Sequence, residues 1–478
     1  MRLRSFRLVP VLAAIVLLSI PALAVAQDAP TEQDIAINTL LVFLGAVLVL
    51  FMQAGFAMLE VGLSRMKNAG AVMAKIVINL SVTFIIFWAV GFSFAFGDGN
   101  GFIGSSGWFM DVSDPAADYS SLAGYAVNFE STFFFQATFA AVSLAIVFGT
   151  MLDRTKFAAY VIFGILYIGL IYPTVAHWTW GGGWLFEDGF LDFAGSSIVH
   201  LQGALAALAG TLVLGPRIGK FRNGKATPIP GHSIPLMVLG VIILWVGWMG
   251  FNPASYLNAI GSNFADVAVN TNLAAAAGVI GATIASLVIF RTLDVSQMGN
   301  GAIAGLVAIT APCAFVDAWA AVLIGFVGGL IVPAIVVGVD KLKVDDPVGA
   351  LPAHGVAGIW GTLAVGLFCT AERTGAREGL FLGGGGEQLW VQFYGIAATV
   401  GFTFVACFIV FMAIKYTVGL RVSEEHELAG LDISEHGMFG YPERFIDVPG
   451  AEPESDGHAP AEAPAGTATV TKTAPASS

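Results

Sequence analysis

The stretch DFAGSSIVHLQGALAALAGTLVLGPR, residues 192–217, decides the fold when it is set beside DDPVGALPAHGVAGIWG, residues 345–361. In the first, Asp192 is followed eight residues later by His200; in the second, Asp346 is followed eight residues later by His354. Small residues then recur at spacings of three and four, as Gly203, Ala206, Ala207 and Gly210 and as Gly355, Gly358 and Gly361. Faces of that kind let helices approach closely inside a bilayer, where apolar surface gives no hydrophobic drive for association. Asp192 reads in two ways, as a cap for the first turn of its helix or as a charge that attracts a cation. A lone intramembrane histidine is as readily a core residue bonded to a neighbouring carbonyl. Two at equal spacing in corresponding positions point instead to a pathway, because buried ionisable groups are costly in lipid and imidazole relays protons near neutral pH.

A membrane-crossing helix needs about 20 mostly apolar residues. Eleven such runs follow residue 26, at roughly 37–63, 72–96, 131–151, 157–176, 195–215, 234–255, 269–290, 300–315, 317–339, 349–370 and 389–418. The two Asp-x7-His segments open the fifth and tenth runs. A repeat of five spans is odd, so its copies lie inverted in the membrane, and the histidines face each other near a pseudo-two-fold axis. The predicted fold is an all-α polytopic membrane protein: eleven transmembrane helices, with two inverted five-helix repeats around a central pore plus a final helix.

Composition agrees. The chain has 478 residues, of which 56% are hydrophobic and 11% charged, against about 25% charged in an ordinary soluble domain. Mean hydropathy is +0.80. These values exclude a soluble enzyme, a disordered chain and a nucleic-acid binder, and the net charge of −12 also argues against a polyanionic partner. From Arg421 onward there are eleven acids and three bases, so −8 of the −12 belongs to the C-terminal stretch. Cys313, Cys369 and Cys407 lie in apolar runs without ligand spacing and read as small buried hydrophobes. No metal and no cofactor is expected.

The N-terminus carries Arg2, Arg4 and Arg7, an apolar run from Val9 to Ile20, and Ala24-Val25-Ala26 before Gln27. That order is a cleavable signal peptide over 1–26, and its removal leaves −12 − 3 = −15. The remainder divides into a membrane domain at 27–420, a C-terminal region at 421–442 and an acidic, Pro- and Ala-rich tail at 443–478 expected to be disordered. Lys and Arg cluster after the odd-numbered spans, at Arg65, Lys67, Arg154, Lys156, Arg217, Lys220, Arg291, Lys341 and Arg421. The positive-inside rule then places the N-terminus outside and the C-terminus in the cytoplasm. Val422-Ser423-Glu424-Glu425 reads as a helix start, with Gly430 as its end.

Residues 192–217 resemble the signature of the ammonium transporter family (the Amt, methylammonium permease and Rhesus superfamily), in its bacterial Amt form. FFFQATFA at 133–140, HWTWGGG at 177–183, GWMGFNPAS at 247–255, NGAIAGLVAIT at 300–310 and YTVGLRVSEEHELAGLDISEHG at 416–437 extend the resemblance over about 35–440. It implies that Trp180, Phe139 and Ser255 form an outer ammonium-recruitment site, with Asp192 as a vestibule carboxylate. It further implies that Phe139 and Phe251 gate the bore, that His200 and His354 form its twin-histidine relay, and that Thr310 and Trp248 support the outer site. An aromatic face attracts a cation and a hydroxyl accepts an N–H; taken without the resemblance, Trp180 reads as well as part of an interfacial aromatic belt. Relatives usually carry glycine where this chain has Ala254, a change expected to shift Ser255.

The implied activity is ammonium uptake across the inner (plasma) membrane. The ion is recruited, deprotonated and passed as ammonia, with methylammonium as an analogue substrate and potassium left behind because it has no proton to shed. A homotrimer is implied, as is a PII-type signal protein docking on the cytoplasmic face, and the lipid bilayer is the surrounding partner. The alternative is an ammonium-responsive receptor with little net transport. A neutral-gas channel of the Rhesus type fits less well with the cation site that Trp180 and Ser255 imply.

Overall fold

A computed structural model of the chain describes residues 30–111 and 114–442. The signal peptide expected at 1–26 and the tail at 443–478 lie outside these described residues. The spans are α1 (Glu32–Leu63), α2 (Met66–Phe96), α3 (Phe129–Gly149), α4 (Phe157–Glu187), α5 (Ser196–Leu214), α6 (Ile234–Ala254), α7 (Asn263–Phe290), α8 (Val295–Thr310), α9 (Ala318–Lys341), α10 (Leu351–Phe368) and α11 (Glu387–Thr417). Polar caps set several starts. Thr31 and Asp34 form a reciprocal capping box on α1, the Asn128 side chain accepts the Ser131 N–H at 3.0 Å, and Ser233 caps α6.

Ten of these helices are long and apolar enough to cross a bilayer. The exception, α8, has 16 residues, a rise of about 24 Å. The sequence placed this span at 300–315, and the helix begins earlier because the Asp294 carboxylate accepts the Ser296 and Gln297 N–H groups at 2.8 and 3.4 Å. It ends at Thr310, two residues before Pro312, which has no N–H to donate to the Ala308 carbonyl and so cannot extend the ladder. Its side chains from Gly299 to Thr310 are buried inside the bundle, so no full lipid-crossing length is required of it.

The inverted repeat appears as matching contacts. In the first half α1 packs on α3, α3 on α5 and α2 on α4; in the second half α6 packs on α8, α8 on α10 and α7 on α9. The halves join where α1 lies along α6 and α5 meets α10, and α11 lies against both α5 and α10. Glycines permit these approaches. A Cβ at Gly55 would stand 2.7 Å from Leu244 Cγ, one at Gly203 would stand 2.8 Å from the Ser143 carbonyl, and one at Gly358 2.6 Å from the Ser196 carbonyl. The outward side of the bundle is also apolar, with Leu40, Phe43 and Phe51 exposed on α1 and Val77 and Ile85 on α2. An apolar belt of this size suits lipid and would be a liability in water.

The basic loops gather at one end. Arg217 grips Asp345 through two bonds of 2.9 Å, Arg65 bonds Asp153 at 2.9 Å, and Arg154 lies 3.7 Å from Asp345. Burial pulls the Arg154 guanidinium down to about 10. Burial alone would raise the Asp345 carboxyl, but its bonds from Arg217 and the charge of Arg154 hold it below the usual carboxylate range. Two short helices, α12 (Glu424–Ala429) and α13 (Leu431–His436), dock on the same end. Ser423 caps α12, and Gly430 at φ +109° ends it in a conformation that other residues rarely adopt. Buried Glu427 accepts from Arg421 at 2.8 Å and from the Ile218 N–H at 2.8 Å, while Asp432 accepts the Ala71 N–H at 2.8 Å.

Candidate functional site

Two cavities lie on opposite sides of the paired histidines. The first, of about 890 Å³ measured to its open mouth, lies at the end opposite α12 and α13 and is lined by Trp180, Phe139, Asp192 and Ser255 among others. The second, of about 360 Å³, is lined by His354, Phe56, Glu60 and Asn300. The rings of Phe139, Phe251, His200 and His354 stand in series between them. Centroid separations along this line are 3.9, 5.5 and 5.3 Å.

The vestibule is assembled from chain ends. The main helix of α4 stops at Thr179, Gly182 takes φ +80° in the turn that follows, and Trp180 is left at the cavity wall. The indole N–H of Trp180 donates to the Asp192 carbonyl at 2.9 Å, and its ring meets Phe139 edge to face at 6.1 Å. Gly195, at φ +111°, allows this packing, because a Cβ there would lie 3.0 Å from the indole. The Ser255 hydroxyl donates to the Phe251 carbonyl at 2.7 Å. Its proton is thereby committed, and its lone pairs remain to accept a donor from the cavity. The Ala254 methyl fits against Gly45, where any Cβ would collide with it. The glycine on α1 thus makes room for the Ala254 side chain.

Asp192 is 3% exposed. One of its carboxylate oxygens accepts the Gly195 and Ser196 N–H groups at 3.0 and 2.8 Å, the other the Ser197 and Ile198 N–H groups at 2.8 and 3.0 Å. That is the capping geometry, with both oxygens turned to the backbone. Asp346 does the same in the second half, accepting from Val348, Gly349, Ala350 and Leu351 at 3.3, 2.9, 3.1 and 2.9 Å. Each aspartate opens a widened turn in which bonds skip five residues, as from the His200 N–H to the Gly195 carbonyl at 3.1 Å. Both histidines project from these turns.

The histidine Nδ1 atoms are 3.2 Å apart and the rings lie within 19° of parallel. A hydrogen bond between like atoms needs one protonated and one bare nitrogen, so the two tautomers are tied to each other. His200 is wholly buried, and its Nε2 has no hydrogen-bond partner among the described residues. Trp248 stacks on it at 5.2 Å and 19°, and the indole N–H of Trp248 donates to Thr310 Oγ1 at 3.0 Å. Thr310 and Trp248 therefore meet behind the histidine rather than in the vestibule. Phe139, Phe251, His200 and His354 thus share one line, Trp180 and Ser255 lie on the wall of the first cavity, and Asp192, Trp248 and Thr310 stand beside the line.

Sequence reasoning overlooked the second cavity. Apart from Asp192 and the histidines, the spans read as holding almost nothing polar, yet Glu60 on α1 and Lys75 on α2 form an ion pair of 3.2 Å inside the bundle. The signal was available: Glu60 is the one acid inside the apolar body of the first span, and Lys75 the one base within 72–96. Their partnership depends on how two helices pack and could not be read from either alone.

Comparison with known proteins follows the same lines. A family model described as the Ammonium Transporter Family matches residues 40–441. Ammonium transporter Amt2 of Archaeoglobus fulgidus is 41% identical over 415 residues, covering 83% of this chain and 86% of that protein. An ammonium transporter of Bacillus subtilis is 35% identical, covering 84% and 98%. Among solved structures, one described as a sensor Amt protein superposes with a TM-score of 0.78 at 34% identity, covering 84% of this chain and 99% of that one. Mep2 of Candida albicans gives 0.74 at 28% identity, covering 83% and 88%.

Proposed function

The chain belongs to the ammonium transporter family and is a multi-pass membrane protein, and from that premise we propose how it moves ammonium. Trp180, Phe139 and Ser255 hold the ion in the vestibule, two rings offering their negative faces and the hydroxyl accepting one N–H. The stacked Phe139 and Phe251 and the apolar line behind them disfavour its charge, so the ion gives up a proton and ammonia enters the bore. His200 and His354 hydrogen-bond the neutral molecule and carry the proton separately, which makes transport electrogenic. Potassium resembles ammonium in size and charge but has no proton to lose. Asp192 acts chiefly by holding the turn that presents His200.

The observation that carries this reading is the pair of facing histidines, sealed behind two stacked phenylalanines and set between two cavities. The test is the current evoked by ammonium pulses in proteoliposomes, with potassium as control and methylammonium uptake at two pH values. Ammonium current without potassium current is expected; equal currents from both ions would refute the mechanism. A second reading is favoured by the likeness to a structure described as a sensor Amt protein: an ammonium-responsive receptor with little net transport. Binding without uptake or current would establish it.

In the same reading the end bearing α12 and α13 is cytoplasmic, since the basic loops gather there. The protein assembles as a homotrimer with one pore per subunit in the plasma membrane. The docked C-terminal helices offer a surface for a PII-type signal protein. Mass measurement in detergent and protease access from each side of the membrane test these assignments.

A further inference from the structure

The second cavity holds an acid that the mechanism above leaves unused. Glu60 is 2% exposed and lies four residues beyond Phe56, whose ring packs on His354 at 6.4 Å. Four residues advance a helix by about 6 Å, and α1 runs from the vestibule end toward the end bearing α12 and α13. Glu60 therefore stands one turn past His354 on the way out of the pore. Both side chains line the same cavity of about 360 Å³. Asn300 lines it too, with its amide N–H donating to the Val348 carbonyl at 3.0 Å, so that its carbonyl oxygen is free to serve the cavity as an acceptor.

Lys75 engages one oxygen of the carboxylate, Oε2, at 3.2 Å. The other, Oε1, is turned to the cavity wall at Gly149, 3.6 Å from where a Cβ there would lie. Lys75 itself is steadied by the Phe148 carbonyl at 3.4 Å and by the rings of Phe148 and Tyr160 at 5.9 and 5.8 Å. It also lines a further cavity of about 380 Å³, bordered by Asp153, Lys156, Glu435 and His436, at the end where the C-terminal helices dock. The ion pair thus bridges the space under the histidines and the solvent-facing end. A buried ion pair contributes little to stability over a well-packed apolar pair of the same volume, so packing alone gives no reason for it.

We propose that Glu60 is the proton-handling carboxylate at the inner end of the pore, accepting the proton that passes through His200 and His354 and returning it to departing ammonia. The first step breaks an imidazolium N–H bond at His354 and forms an O–H bond on Glu60, through water in the cavity. The second breaks that O–H bond and forms the fourth N–H bond of ammonium, which restores the carboxylate. No electron changes hands and no other reactant is needed. The inference rests on the transport reading given above.

The test compares wild-type protein with Glu60→Gln, Glu60→Asp and the double variant Glu60→Gln/Lys75→Gln in proteoliposomes, with ammonium current and methylammonium uptake measured on each. Glu60→Gln is expected to lower the current roughly tenfold or more while uptake falls far less, so that charge moved per substrate drops. Glu60→Asp restores part of the current. The double variant leaves no unpaired buried charge, which keeps the comparison valid even if Glu60→Gln folds poorly, and its current stays low. Recovery of wild-type current in the double variant would show that Glu60 merely neutralises Lys75, and wild-type current in Glu60→Gln would overturn the proposal outright. Absence of both current and uptake in the wild type would instead refute the transport reading, and this inference with it.

Discussion

The turn that carries His200 and the turn that carries His354 are built by one device and end in different surroundings. In both, an aspartate eight residues upstream gathers four backbone N–H groups and widens the helix start. The first histidine is sealed, stacked between Trp248 and its twin, with Nε2 unpartnered among the described residues. The second is 6% exposed and opens on the cavity shared with Asn300 and Glu60. An inverted repeat supplies two equivalent turns, and what packs around them differs: aromatic rings enclose His200, whereas His354 shares a cavity with the polar side chains of Asn300 and Glu60.

The sharpest way to break this comparison is to remove each histidine separately. His200→Ala should cut ammonium current by roughly a hundredfold or more, and His354→Ala by less, because polar neighbours and room for water remain beside it. Equal losses measured by electrophysiology would erase the asymmetry. Next come the two caps. Asp192→Ala and Asp346→Ala each leave four backbone donors bare and should cost about 3 kcal/mol or more of stability, read as a lower melting temperature in detergent. Asp192→Asn separates the two roles of that residue: wild-type melting with lost transport would mean that its charge attracts the cation, whereas a lowered melt with activity retained would identify it as a cap.

A smaller effect is expected in the vestibule. Ser255→Ala removes one hydrogen-bond acceptor, of about 1 kcal/mol, and should weaken the half-saturating concentration of methylammonium several-fold while leaving maximal uptake nearly unchanged. A fall in maximal uptake alone would place Ser255 in the conduction step instead. The smallest lies next to the second cap. Asp345 adjoins Asp346 but faces Arg217 and Arg154, which hold its carboxyl below the usual range against the upward pull of burial. A depressed carboxyl contributes stability above its unfolded value, near pH ~4, and loses it as pH falls through the lower folded value. Melting temperature should therefore decline on acidification below about pH 4, and Asp345→Asn should flatten that decline. An unchanged slope would remove these ion pairs from the account.

Much of the site was legible because its local devices are local in sequence. The Asp-x7-His spacing and the glycines that follow it each lie within a single short segment, where spacing and periodicity speak directly. The edges of α8 were misjudged by five residues because apolar character alone does not mark a start, whereas Asp294 and Pro312 do. Glu60 was missed for another reason: a carboxylate in an apolar run looks anomalous until a lysine from the next span is brought to 3.2 Å. Thr310 and Trp248 were expected near the outer site, and their bond sits behind His200 because two helices of the second half cross there.

The sequence by itself determined the membrane class, the eleven helical runs and the five-helix repeat. These depend on hydropathy, on helical period and on small residues at fixed intervals, all of which act within one segment. Only the tertiary structure decided which polar groups meet: the 3.2 Å contact of the histidines, the commitment of Asp192 to backbone donors, the Glu60–Lys75 pair and the docking of Glu427 and Asp432. In a bilayer an unsatisfied polar group is too costly to leave bare. Each must find its partner across helices far apart in the chain, and no single stretch of sequence contains that information.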